Sequence, residues 1–238
     1  MTRPATCMPD ACFCEATRTS GPHQPANTWS SLAFVVVAVM ILARVARDRS
    51  RRTPVAQNRT STQLVYPLVY VLALLVTGLG SAWFHATLSF AGQFADVMGM
   101  YLIATFILLY SLGRISTMRP VTMAASYVTA NAALAAVLYW LPDFRRYIFG
   151  LLIVAALGLE RVAHARAVKA RANNTHLLLA VGILALGFVI WILDITRTLC
   201  SPGSWLQGHA LWHLLGAVAS WQLYMYYRRS DSNRGSVR

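Results

Sequence analysis

Two blocks of this chain place chemistry-bearing side chains inside long apolar runs. The first, GSAWFHATLSFAGQFADVMGM at 80–100, holds Ser81, His85 and Asp96. The second, GHALWHLL at 208–215, holds His209 and His213. On a helix, residues four apart project from one face. His209 and His213 can therefore grip a single ion, and Ser81 and His85 share a face of another helix. Three imidazoles about 2.0–2.1 Å from zinc, with the fourth position open, make a catalytic rather than a structural site. Zinc lowers the pKa of its bound water to about 7. Asp96 is placed to orient that water or take its proton, and Ser81 to donate a hydrogen bond to a developing oxyanion. Without metal, the same histidines and Asp96 would instead relay protons or ions. Either use explains a charged side chain whose burial in a bilayer costs ~2.5–3.5 kcal/mol on insertion scales.

The elements that must carry these residues follow from composition. The chain has 57% hydrophobic and 12% charged residues and a mean hydropathy of +0.50, whereas soluble domains carry about 25% charged residues. That leaves too little polar surface for a water-soluble globule and predicts an all-α integral membrane protein. The net charge of +13 would suit nucleic acid only if it formed a basic face on a soluble domain. Here it falls in short clusters between apolar runs, so membrane lipids, and not nucleic acid, are the expected surroundings. Seven apolar segments lie at roughly 28–46, 64–84, 92–112, 121–141, 147–165, 176–197 and 207–227, each near the ~20 residues a spanning helix needs. They predict a seven-transmembrane bundle over 28–227, with an extracytoplasmic segment at 1–27 and a cytoplasmic tail at 228–238. Residues 1–27 contain no apolar h-region, so they do not read as a cleavable signal peptide.

Orientation follows from the basic residues, which collect on the cytoplasmic side of membranes. Of the 21, sixteen fall in the 44–63, 113–120 and 161–175 loops and the C-terminal tail, against five on the other side (Arg3, Arg18, Arg145, Arg146, Arg197). The N-terminus is thus expected outside and the C-terminus in the cytoplasm. This puts Ser81, His85, Asp96, His209 and His213 in one layer at the outer end of the bundle. Trp83, Phe84, Phe94 and Trp212 would offer an apolar lining there. Asp194 has Arg197 three residues on, which predicts a local ion pair at the outer interface. His23, His164 and His176 fall in loops or at span edges and read as non-ligands. The 161–171 run reads as a topology signal facing anionic lipid heads, and the dominance of Arg over Lys suits a bacterial inner membrane. All four cysteines lie on the outer side, where disulfides persist. Cys14–Cys200 with Cys7–Cys12 is one of the three full pairings that four cysteines allow.

The pattern S-x3-H-x10-D in SAWFHATLSFAGQFAD, followed far downstream by H-x3-H in HALWHLL, resembles the alkaline ceramidases, members of the CREST superfamily of seven-span hydrolases. The N-terminal CFCE and ANTWSSLAF are similar to that family's opening. The resemblance implies His85, His209 and His213 as zinc ligands, Asp96 and Ser81 beside the metal-bound water and scissile carbonyl, and a Cys14–Cys200 disulfide. It also implies calcium held by the N-terminal segment. Glu15 matches that pattern, but Thr17, Cys12 and Gln24 depart from it and the segment up to Asn27 is shorter. An intact calcium site is therefore not expected unless Asp10 compensates. The function expected is a zinc-dependent amidase hydrolysing ceramide or a related N-acyl lipid, its active site toward the outer face. A lipid-sensing receptor-like member and a proton-coupled transporter are the competing classes.

Overall fold

The computed structural model describes residues 4–7, 12–50, 58–116, 118–166 and 174–230. Asp10, Lys169, Arg171 and the tail from 231 lie outside them, so Asp10's expected calcium role and part of the basic run find no test here. The named elements are helices: α1 (Pro25–Ser31), α2 (Ala33–Arg49), the short α3 (Arg59–Thr62), α4 (Val65–Thr87), α5 (Phe90–Ile115), α6 (Pro120–Trp140), α7 (Arg145–Ala165, after a 3-10 turn at Pro142–Phe144), α8 (Thr175–Ile195) and α9 (Gly208–Arg229). Among the described residues, six spans are long and apolar enough to cross a membrane, α1 and α2 counting as one run, Pro25–Arg49. They coincide with the first six expected segments. The helix of the seventh expected segment, α9, has 22 residues but carries His209, His213, Gln222, Arg228 and Arg229, so its composition alone does not qualify it.

Local chemistry sets the helix ends. Pro120 opens α6 at the first helical position, where its missing N–H costs nothing and its fixed φ suits the helix. Ser89 caps α5 by accepting the N–H of Gly92 at 3.2 Å. Between α4 and α5 the chain reverses through Leu88 in the left-handed region, at φ 48°. The carbonyls left over at the end of α4 are not abandoned. Those of His85 and Ala86 accept the N–H groups of Gln24 and His23 at 3.0 and 3.2 Å. The end of α4 thereby becomes the docking edge for the N-terminal segment.

The tightest helix contact is α4 on α5, made by small residues. A Cβ on Gly99 would lie 2.4 Å from the Thr77 Cα, and one on Gly80 would lie 2.7 Å from the Ala95 carbonyl carbon. Only glycine allows this approach, as is usual where membrane helices pack by van der Waals contact. Because Gly80 meets Ala95, the next residues, Ser81 and Asp96, become neighbours across the interface. Around this pair, α7 packs on α5, α2 on α4, and α9 on α8, α1 and α2. Among the described residues α7 and α8 stand apart along their backbones and meet through long side chains, Phe149 on Phe188 and Arg146 over Trp191.

The two ends of the bundle differ. At one end the N-terminal segment crosses the helix tips, held by the Cys14–Cys200 and Cys7–Cys12 disulfides and by a bridge from Pro4 to Ser89. At the other, Arg228 pairs with Asp48, Ser61 donates to the Arg228 carbonyl at 2.8 Å, and Arg59 donates to the Met118 carbonyl at 2.9 Å. Toward that second end lies the main core, with Tyr70, Leu74 and Tyr227 almost wholly enclosed.

Candidate active site

His85 near the end of α4 and His209 and His213 in the first turns of α9 meet beneath the N-terminal segment. One ligand atom from each lies within 4.8 Å of the others, and all three side chains are buried. The hydrogen-bond network assigns their ring protons. Gln24 Oε1, an acceptor, sits 2.7 Å from His85 Nδ1, so that nitrogen carries the proton and Nε2 is bare. Ser30 and Ser31 spend their hydroxyl protons on the Asn27 carbonyl. They therefore accept from His213 Nδ1, at 2.9 and 3.3 Å, and His213 Nε2 is also bare. His209 Nε2 lies 3.2 Å from His85 Nε2, close to the roughly 3.3 Å edge of a tetrahedron with 2.0–2.1 Å bonds. The bare nitrogens and His209 Nε2 face one buried point, and His209 Nδ1 is buried without a partner. The donor set thus fits a metal ion with three nitrogen ligands.

The helix that brings two of these ligands is itself held by a carboxylate. Asp194, at the end of α8, accepts the His209 N–H at 3.1 Å and the Cys14 N–H at 3.2 Å. It caps α9 and anchors the N-terminal segment in one stroke. The expectation of a simple local pair with Arg197 missed this. The signal was present in the sequence as a polar residue aimed at the next helix's start, but only the fold shows which N–H it meets. Gly208 permits the approach, since a Cβ there would lie 2.8 Å from the Asp194 Cβ.

Ser81 Oγ lies 3.3 Å from His213 Nε2, and Ser81 is also the side-chain hydrogen-bond partner of Asp96. The structure thus brings together all five residues singled out from the sequence. Phe13 covers them, its ring centroid 4.4 Å from that of His209 and 5.0 Å from that of His85. Sequence reasoning missed Gln24, Ser30, Ser31 and Phe13, because their contacts join segments with no mutual spacing. His23, His164 and His176 lie away from the cluster, bonded to the Arg18 carbonyl, Asn174 and Gln222.

Glu15 braces the N-terminal segment. Its two oxygens accept the N–H groups of Ala26 and Asn27 at 2.7 and 2.9 Å, supplying the cap that α1 lacks from Gln24. Burial pushes its carboxyl above the ordinary value, against the pull of those two N–H groups. Calcium takes six to eight oxygens. The amide oxygen of Gln24 is engaged by His85, and the Phe13 carbonyl accepts from Arg197 at 3.3 Å. Two of the oxygens nearest Glu15 are thus already taken, while Asn27 Oδ1 is buried without a partner.

Below the cluster opens a cavity of about 490 Å³. Ser81, Asp96, His209 and His213 line one end, Glu160 and Tyr227 the other, with apolar residues such as Ile103, Leu184 and Phe188 between. Of the expected lining, Phe84 and Trp212 take part. Trp83 instead faces outward, 49% exposed, and Phe94 packs with Phe90 and against the Val97–Tyr101–Leu138 cluster. A helix has an outer and an inner face, and one residue's shift decides which.

A family model described as ceramidase matches residues 13–236, which takes in every residue of this site. The chain belongs to the ceramidase family. Ceramidases are hydrolases of a linear amide bond, and the chain is an enzyme of that class. Among curated proteins it is 25% identical over 231 residues to a Dictyostelium discoideum protein provisionally named alkaline ceramidase dcd3B, covering 84% of this chain and 78% of that one. The apolar spans of this ceramidase-family chain make it an integral, multi-pass membrane protein.

Proposed function

We propose that the chain is a zinc-dependent intramembrane amidase that hydrolyses ceramide or a related N-acyl lipid to a fatty acid and a sphingoid-type base. The observation that carries this reading is the convergence of two bare imidazole nitrogens, a third histidine, Ser81 and Asp96 at one end of an apolar cavity. His85, His209 and His213 would hold the metal, which when bound would supply a Lewis acid and an activated water at neutral pH. The remaining steps belong to the protein. The Asp96 carboxylate takes a proton from the attacking water and returns it to the leaving nitrogen. Ser81 Oγ donates a hydrogen bond to the carbonyl oxygen as charge builds on it. Phe13 and the disulfide-bonded N-terminal segment exclude bulk water, which strengthens each of these interactions.

The acyl chain lies in the apolar cavity and enters sideways from the bilayer. In this reading α9 is the seventh span: its polar residues face the site and its neighbours rather than lipid. The N-terminus lies outside, the C-terminus in the cytoplasm, and the site faces the outer side of a bacterial inner membrane. The uneven distribution of basic residues and the two disulfides support this orientation. The test is fatty-acid release from a panel of N-acyl lipids by purified protein, before and after chelation and after zinc is restored. Chelator-sensitive release recovered with zinc is expected. Full activity in a demonstrably metal-free preparation sinks the reading.

A further inference from the structure

On the hydrolase reading above, we propose that Arg145 and Arg146 form a subsite for an anionic head group. Among the N-acyl lipids of that reading, one bearing a carboxylate or phosphate near its amide is then preferred over its neutral counterpart. Both arginines line the cavity at the end that holds Asp96, His209 and His213. Both stand where cations are unfavourable. They open α7, where the helix dipole disfavours cations. They also lie on the side that holds only five of the 21 basic residues.

The pair carries more positive charge than the carboxylates near it offset. Arg145 is 9% exposed, and its Nη1 donates to neutral groups, Thr6 Oγ1 at 3.1 Å and the Pro142 carbonyl at 2.8 Å. Its contact with Asp143 is 3.9 Å long, and that carboxylate is 84% exposed. Arg146 Nη2 rests on the Cys7 and Cys12 sulfurs at 3.2 and 3.0 Å, and the guanidinium stands 5.4 Å over the Trp191 ring. Asp96 can offset one of the two cations, which leaves a positive charge at the wall of a low-dielectric cavity. Such a charge calls for an anion. The planar, forked guanidinium fits carboxylate and phosphate oxygens best. An acyl chain in the cavity, with its amide at the histidines, brings the head group to this wall.

The test compares lipids of one acyl length: N-palmitoylglycine, N-palmitoylethanolamine and the phosphate ester of the latter. Wild-type kcat/KM is expected to favour an anionic member over the neutral one by about tenfold or more. That ratio should collapse toward one in Arg146→Gln and survive in part in Arg146→Lys. Intact disulfides in each variant, read by mass spectrometry, establish that it has folded. A wild-type preference for the neutral lipid, or a ratio unchanged in Arg146→Gln, overturns the proposal. Binding of the uncleavable amphiphiles hexadecyl phosphate and hexadecanol, measured by calorimetry, separates it from the hydrolase reading. If no amide is cleaved yet hexadecyl phosphate binds tighter and loses that advantage in Arg146→Gln, the anion site stands and the hydrolase falls. If palmitate alone shows the arginine-dependent advantage, the pair holds a product carboxylate and the head-group assignment fails.

Discussion

The side-chain oxygen of Gln24 lies 2.7 Å from Nδ1 of His85, and this contact determines which ring nitrogen the imidazole presents to its fellow histidines. Outer partners of this kind fix the tautomer and orientation of a ligand, and their loss typically costs 10–100-fold in metal affinity. Gln24→Ala is expected to weaken zinc by about that factor, while Gln24→Glu, which keeps an acceptor at the same reach, retains most of it. Competition against a chromophoric chelator checks both.

Asp96 and Ser81 share a hydrogen bond but are assigned different work, and the two substitutions should separate them. Asp96→Asn is expected to lower kcat by about 10²–10⁴-fold, the usual worth of a positioned acid–base group. Ser81→Ala should cost about 10²–10³-fold, as loss of one oxyanion donor does. Zinc content by elemental analysis stays at the wild-type level in both. Loss of metal in either variant would show that the residue builds the site and does not act in it.

Much of this arrangement was legible in the sequence because it depends on period and polarity. Spacings of four put Ser81 with His85 and His209 with His213, and charge counting put all of them in one layer. The first six spans follow from hydropathy alone. What stayed hidden depends on contacts between distant segments. Asp194 reads as a partner of Arg197 by proximity in sequence, and the Arg197 charge does bear on it, but its oxygens also meet the N–H groups of Cys14 and His209. Gln24, read as a lost calcium ligand, is a histidine support. Trp83 faces away from the cavity because its neighbour Phe84 faces in, a choice between helix faces that composition does not express.

Removing the link between Cys14 and Cys200 frees Phe13 and the segment that carries Gln24's neighbours. A Cys14→Ser/Cys200→Ser variant is expected to lose at least about tenfold in activity, with zinc affinity falling in parallel through the Gln24 contact. Turnover and zinc titration, run side by side, check this. Wild-type activity in a preparation whose cysteines are all alkylated would refute it.

Glu15 gives a pH signature. Burial raises its carboxyl above the ordinary value of 4.5. A carboxyl raised on folding favours the folded state below its unfolded pKa, and that contribution is lost as pH rises through the raised value. The melting temperature of wild-type protein is therefore expected to decline across that window as pH increases. Glu15→Gln, which cannot ionise, should lack the step. Parallel thermal scans in detergent would reveal a wild-type curve with the opposite slope if the assignment is wrong.

The site is drawn from segments far apart in the chain. His85 waits 124 positions for His209, and Cys14 waits 186 for Cys200. A nascent chain with its first six helices in the bilayer holds one imidazole of the three and has no partner for Cys14. It is harmless to the lipids around it. Only when the last helix is inserted and its preceding loop is oxidised does a hydrolase exist. The ribosome and the translocation machinery thus work in a membrane that an unfinished product of this kind has no means to digest.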